Sequence, residues 1–406
     1  MQKKLREIIS SIPKALGITV LAFLLSMVLA VPFNAITTAV VSAPEKNDLR
    51  MADMFAQFAD NRSVSDYDDR IVLVNIGAGG REEIAELLGI VEEGAPKVIG
   101  LDVNFPKAGA ESVDSLLVEA VSLTGNMVCA QTVTADNGKF SPGVRPFFYG
   151  QVPGMEYGVV TWPTENPDAR VRQYRVDFPV QGDTLVSFAG LLAERYSPGA
   201  LRRFRSHDSE LGIIDFPSRR FPVYDAGEVA DHLEDLTGKI VLIGGMNDLD
   251  DSHATPVSPR MPGVQIHAHI IANLIDGDWP VDITYPYDAL IALAACFIMV
   301  MISLNLKKDY KGIAMRFLQV GCAYLAIRTG YWLYVDHAVI LDLTTTLLMI
   351  TFGMFAIDVW NGIWYFGNKI FRARSVKFRG RRGGSFRADF TSREGSDAGI
   401  VTDETS

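Results

Sequence analysis

Long uncharged stretches and shorter apolar runs broken by glycine divide the chain, and each pattern predicts a different element. Residues Ala15 to Val41, ALGITVLAFLLSMVLAVPFNAITTAVV, hold no charge and exceed the roughly 20 residues that cross a bilayer. The stretch is about twice the length of the apolar core of a secretory signal, so a retained anchor is expected. Three more such stretches crowd the C-terminal third: YDALIALAACFIMVMISLNL (287–306), IAMRFLQVGCAYLAIRTGYWLYV (313–335) and AVILDLTTTLLMITFGMFAIDVW (338–360). Four transmembrane helices follow from this reading. The third contains Arg316 and Arg328 and the fourth Asp342 and Asp358. Arg328 and Asp342 are expected as membrane-buried polar groups that face the bundle or snorkel to an interface, and Arg328 needs a partner.

Between the first and second spans, over about 44–285, the period changes. An amphipathic connector, RMADMFAQFADNRS, precedes RIVLVNIGAGGREEIAELLGIVEEGAPKVIGLDVNFPK. A β-branched run, a glycine turn, a helical pattern carried by Ile84, Leu87, Leu88 and Val91, and then KVIGLDV read as strand, helix, strand. ESVDSLLVEAVSLTG and NMVCAQTV repeat the unit, with Gly94 and Gly125 expected as helix C-caps. Continuous apolar strands predict a mostly parallel sheet covered by helices on both faces. From Ser141 to Val180, YGVVTW and VRQYRVDFPV are expected to pair in an antiparallel excursion. LVSFAGLLAERY then reads as a helix, LGIIDF as a strand, KIVLIGG as a central strand and GVQIHAHIIANLIDG as the closing helix. The fold class is thus an α/β outer domain joined to α-helical transmembrane segments.

Composition agrees with a membrane component: 48% of the 406 residues are hydrophobic. Lys3, Lys4, Arg6 and Lys14 precede the first span, Lys307, Lys308 and Lys311 separate the second from the third, and Arg372, Arg374 and Lys377 follow the fourth. This bias predicts a multi-pass protein of the cell's inner (cytoplasmic) membrane, with 1–14 and the C-terminus cytoplasmic and about 44–285 extracytoplasmic. Of three cysteines, Cys296 and Cys322 fall in spans, so Cys129 has no disulfide partner in the outer domain. The net charge of −10 argues against a nucleic-acid partner. The tail 371–406, basic and then acidic, has too few apolar residues to fold alone and is expected to be disordered.

In open α/β sheets, ligands sit beyond the carboxyl ends of the strands. If the three strands are parallel neighbours, the loops after them gather Asp102, Asn104, Asp250, Asp251 and His253 on one edge, with Arg81 opening the first helix. These six are the candidate ligand-binding residues. GAGG at 77–80 matches no nucleotide loop and reads as a tight turn. NDLDDSH starts like a calcium loop with Asp248, Asp250 and Ser252 alternating, but His253 and Pro259 stand where glycine and glutamate are required. A solvated loop is expected there. His267 and His269, two apart on one helix, point about 200° from each other and cannot share a metal ion. His267 is expected inward, and His269 solvated alongside Asn273 and Asp276. Arg170, Arg172 and Arg175 are expected as a surface ladder with nearby carboxylates. No catalytic motif is present, so no enzyme and no cofactor is expected.

Together, RIVLVNI…REEIAELL…GAPKVIGLDVNF, DARVRQYRV, LTGKIVLIGGMNDLDDSHATPVSPRMPGVQIHAHIIANLI and the closing spans resemble the CHASE2 family of extracytoplasmic sensory domains, over roughly residues 15–360. The resemblance implies a sensor without catalysis, whose final membrane helices lead in that family to a histidine kinase, a cyclase or a diguanylate cyclase. Two departures stand out. The longer tryptophan-proline segment usual before the arginine that Arg81 matches is replaced by GAGG, and no output domain follows the last span. The expected function is a sensor or ligand-binding module acting through a separate signalling or membrane-complex protein, with a homo-oligomer possible. The alternatives are an assembly subunit of a membrane complex, or a cation-dependent hydrolase at Asp102, Asp250, Asp251 and His253.

Overall fold

The computed structural model describes residues 2–40, 50–62, 66–136, 138–163, 169–207, 209–216, 219–248, 251–277, 279–283, 286–306 and 311–382. Asp250, Lys307, Lys308, the end of the first predicted span and the tail beyond 382 lie outside the described residues. Ten helices order the described chain: α1 (Gln2–Val40), α2 (Met51–Arg62), α3 (Arg81–Glu93), α4 (Glu111–Leu123), α5 (Phe188–Tyr196), α6 (Ala200–Arg205), α7 (Gly263–Asp276), α8 (Tyr287–Leu304), α9 (Lys311–His337) and α10 (Leu343–Arg382).

The central sheet is built from β1 (Ile71–Asn75), β2 (Val98–Asp102), β3 (Met127–Gln131), β4 (Glu156–Val159), β5 (Val223–Asp225) and β6 (Ile240–Gly244). Their order is β5-β1-β6-β2-β3-β4 and every pairing is parallel. Alternation splits each apolar run between two cores. Ile71, Leu73, Val98, Ile240 and Leu242 face Phe188 and Leu192 of α5 and Val264 and Ile271 of α7. Val72, Val74, Ile99, Leu101, Val241 and Ile243 face α3, α4 and the 3-10 helix Val229–Leu236. Burial on both faces is why these runs carry no polar residue until their last position.

The predicted pairing of YGVVTW with VRQYRVDFPV is not what forms. Glu156–Val159 closes the parallel sheet as β4, Gln173–Arg175 pairs antiparallel with Leu211–Ile213, and Asp177–Val180 joins a separate sheet with Val133–Asp136, Lys139–Pro142 and Asp183–Val186. Gly158 explains the choice: a Cβ there would sit 2.3 Å from the Phe188 Cα, so this strand fits against the start of α5 as no bulkier strand could. Gly94 caps α3 as expected, in the right-handed region, but α4 is capped by Thr124 and not by Gly125; the left-handed residues nearby are Ala95 (φ 51°) and Asn126 (φ 47°). Ala95 precedes Pro96 and is therefore disfavoured in the right-handed region.

α1, α8, α9 and α10 pack as a bundle through Ala15, Ile18 and Ala22, through Cys296, Met299 and Val300, and through Ile350, Met354 and Ile357. Among the described residues, three helices are long and apolar enough to cross a membrane: Leu5–Val28, Tyr287–Leu304 and Leu343–Ile370. The predicted third span forms a helix of 27 residues, α9, but does not count among the three. The fourth span begins later than its hydropathy suggests. Val339–Leu341, β-branched at Val339 and Ile340, pairs in parallel with Val281–Ile283, and α10 starts only at Leu343. Asp342 is consequently not buried in a span; it is exposed and accepts a hydrogen bond from the Thr344 N–H (2.9 Å), capping the helix. Residues 371–382, expected to be disordered, continue α10. From Phe371 to Arg379 there is neither glycine nor proline to stop a helix rich in arginine.

Candidate functional site

The three neighbouring strands β1, β6 and β2 end in register at Asn75, Gly244 and Asp102. The predicted edge therefore exists, and the alternation Val98-Gly100-Asp102 turns the Asp102 carboxyl to the face covered by α7. There its Oδ2 lies 4.0 Å from His267 Nε2. Burial pushes the Asp102 carboxyl up to about 8, with the charge of Asp251 adding to the effect. The same burial, assisted by His253, holds His267 down to about 3. Loss of hydration thus keeps both groups neutral near pH 7.

A tryptophan binds this pair to the loop of the family motif. The Trp162 ring stacks on His267 at 4.7 Å, and its Nε1–H donates to His253 Nε2 at 3.0 Å. Asp251 Oδ1 stands 3.4 Å from that same nitrogen. One ring nitrogen cannot accept from Trp162 and donate to Asp251 together, so the two contacts require different placements of the ring proton. Asn247 and Asp248 are exposed, as expected of a solvated loop, and Ser252–His253 then pairs antiparallel with Met261–Pro262. The Gly263 N–H donates to the Asp251 carbonyl at 3.0 Å. A Cβ on Gly263 would meet both Asp251 carboxylate oxygens at 2.8 Å, so α7 can start only with glycine beneath that side chain.

The other candidates fall apart from this cluster. Asn104 is exposed in the loop after β2. Arg81 pairs with Asp114, donates to the Lys107 carbonyl and lies 4.9 Å over the Phe147 ring; it clamps the 105–110 loop onto α3 and α4. His269 is buried between Phe216 and Phe221, at 5.1 and 5.0 Å, contrary to its predicted solvation. Phe216 and Phe221 cover the flank of α7 that the helical period left for solvent. Asp276, also expected in water, pairs with Arg70 and Arg219 at 2.6 and 2.7 Å. Arg328 lies exposed on the bundle surface.

Sequence reasoning overlooked Asn75 and Trp162. Asn75 donates through Nδ2 to Asp225 at 2.7 Å and accepts at Oδ1 from the Gly77 and Met246 N–H groups, both at 3.1 Å. It ties three strand ends together. Its signal was available: a polar residue closing a buried apolar run, as Asp102 does. For Trp162 the comparable signal is an aromatic at the end of the edge strand.

Beyond Trp162 lies a cavity of about 220 Å³. Its walls come from α2, from 169–173, from 213–216, from Pro256, and from Asp282, Tyr334 and Ile340 beside the membrane bundle. Arg172, expected on a surface ladder, is instead half-buried here and forks onto the buried Asp53 of α2 through Nε (3.0 Å) and Nη2 (2.7 Å). Arg170 donates from Nη1 to the Thr255 carbonyl at 2.8 Å. Arg175, paired with Glu210 at 3.0 Å, resembles the predicted ladder. Among the described residues no group of three or more His, Cys, Asp or Glu is placed to hold a metal ion.

The sequence profile of the CHASE2 domain matches residues 35–304. The chain belongs to the CHASE2 family. Neither the curated proteins nor the solved structures contain a match to it. CHASE2 domains are extracytoplasmic sensory modules, and the match runs from the end of α1 through α8. The hairpin carrying Asp251 and His253 falls within those bounds, as does the lining of the cavity behind Trp162 apart from Tyr334 and Ile340.

Proposed function

We propose that this CHASE2 protein is a membrane-bound sensor whose outer domain acts through its membrane helices on a separate effector. The carrying observation is the continuous contact from outer domain to bundle. The Arg172 fork onto Asp53 fixes α2 to the outer domain, and Phe55 of α2 packs against Tyr331 and Tyr334 of α9 at 5.8 and 6.4 Å. An event that moves α2 is thereby felt by α9.

The parallel pairing of Val281–Ile283 with Val339–Leu341 supports four crossings. It sets the start of α8 and the end of α9 at one level, so α9 must retrace the crossing that α8 makes. Packing against α8 and α10 offsets its weaker apolar character. A Cβ on Gly330 would lie 3.2 Å from Phe55, which puts Arg328 within a turn of the outer boundary, where a guanidinium can snorkel. At about 1.5 Å per residue the 40 residues of α10 extend about 60 Å, twice the hydrocarbon thickness. Its last turns carry Arg372, Arg374, Lys377, Arg379, Arg381 and Arg382, a basic helical rod on the side that positive residues favour.

A photoreactive residue at Lys377 tests the reading in native membranes. The expected result is a defined adduct with a second, different protein, lost when Arg372, Arg374 and Arg379 are all changed to glutamine. Adducts with lipid alone would contradict a separate effector.

A further inference from the structure

Helices α3 and α4 pack side by side over one face of the central sheet, and their outer faces leave a groove of about 540 Å³ between them. Positions 82, 85, 86, 89, 92 and 93 of α3 and 116, 119, 120 and 123 of α4 line it, so each helix gives it one face. The small residues Ala85, Gly89 and Ala120 keep the groove open. A Cβ on Gly89 would meet nothing within 4 Å, so no packing among the described residues requires a glycine there, although glycine is unfavourable inside a helix. Leu116 and Leu123 stand beside it, 47% and 74% exposed. Folding leaves this apolar surface without a partner.

The rim is of one charge. Glu82, Glu86, Glu92, Glu93 and Glu119 line the groove, all exposed. Among the described residues no lysine or arginine pairs with any of them, whereas Arg70, Arg195 and Arg205 elsewhere on the outer domain each meet a carboxylate. Glu82 and Glu86 also stand one helical turn apart as like charges, an unfavourable spacing. Such a rim repels an acidic partner and an anionic lipid surface, and cations set above an apolar stripe satisfy both the glutamates and the leucines.

We propose that this groove docks a basic amphipathic helix of a partner protein outside the membrane, its apolar stripe against Leu116, Leu123 and the small residues and its lysines or arginines on the glutamates. At about 1.5 Å per residue the face from Glu82 to Glu93 runs about 16 Å, enough for about three turns of a partner anchored at i, i+3, i+4 and i+7. Both walls are helices, so an extended peptide would find no free strand edge to join. The site stands apart from the effector reading: its partner meets the outer domain, not the end of α10.

The full chain in phosphatidylcholine nanodiscs, with Cys322 replaced by serine and an environment-sensitive fluorophore on Ser122→Cys at an exposed position of α4, is titrated with a synthetic helical peptide of about 14 residues. The peptide carries leucine at i, i+3, i+4 and i+7 spacing and lysine elsewhere. A saturable spectral change is expected, weakened at least tenfold when glutamate replaces every lysine of the peptide, and likewise when serine replaces every leucine. Glu86→Lys combined with Glu93→Lys should weaken the lysine peptide at least tenfold. Gly89→Gln, which obstructs the groove without changing its charge, should do the same, while Glu210→Lys, away from the groove, leaves binding unchanged. All these positions are exposed, and circular dichroism confirms folding. Absence of a saturable change, equal binding of the leucine-free peptide, or indifference to the folded groove variants would overturn the assignment. An equal change with unlabelled full chain in place of the peptide would make the occupant a second copy, and would overturn it too.

Discussion

Titrating the folded protein upward from pH 6.5 should weaken its outer domain. Asp102 keeps its proton in the native state up to about 8, whereas the unfolded carboxyl releases it near 3.8. Between those values the native state binds one proton more, so stability falls as pH rises, by about 1.4 kcal/mol per pH unit. His267 and His269 act in the opposite sense. Both are held down to about 3 by burial, against 6.5 when unfolded, and their contribution is lost as pH falls below 6.5. From pH 6.5 down to about 4, two histidines outweigh one carboxyl by a single proton. Above 6.5 the carboxyl of Asp102 acts alone. The profile should therefore peak near pH 6.5 and lose about 2 kcal/mol on reaching either pH 5 or pH 8. Guanidinium unfolding of the full chain in detergent, followed by circular dichroism across pH 5–8, measures this. Asp102→Asn, neutral and of the same shape, should remove at least half of the alkaline loss. A wild-type profile flat from pH 6.5 to 8 would mean that Asp102 and His267 form a charged pair, and would refute the reasoning.

Other perturbations separate packing from polar linkage. Gly158→Ala forces a Cβ to within 2.3 Å of the Phe188 Cα and should cost about 3 kcal/mol in chemical denaturation. Arg172→Ala strands the buried Asp53 carboxylate and should cost about 3–5 kcal/mol. The double change Arg172→Met with Asp53→Leu should recover most of that loss in the same assay. Asp342→Ala removes a helix cap and should cost about 1 kcal/mol in thermal unfolding, leaving membrane insertion by alkaline extraction unchanged.

The central sheet was legible because burial on both faces leaves an unbroken apolar signature, and the parallel order of β1, β6 and β2 then brings Asp102 to the same edge as the Asp251–His253 hairpin. Positions whose environment is set by distant segments were not legible. His269 follows a polar helical period, yet Phe216 and Phe221, more than forty residues earlier, cover it. Arg172 looks like a surface residue until α2, over a hundred residues away, supplies Asp53. Hydropathy likewise misplaced the start of α10, since Val339–Leu341 is as apolar as a helix end and only its partner strand makes it a strand. The cavity behind Trp162 shares this origin: segments far apart in the chain line it, and none announces it alone.

The link from outer domain to cytoplasmic helix ends is tested most directly by a distance across the bundle. Spin labels at Glu7 of α1 and Lys369 of α10, both exposed, would be introduced with Cys322 replaced by serine, and their separation measured in nanodiscs by pulsed electron spin resonance. Phe55→Ala, which empties the contact between α2 and α9, should shift the distance distribution, and Leu123→Ala should not. Superimposable distributions for wild type and Phe55→Ala, with both proteins folded, would contradict the claim that the outer domain is mechanically joined to the helices that leave the membrane.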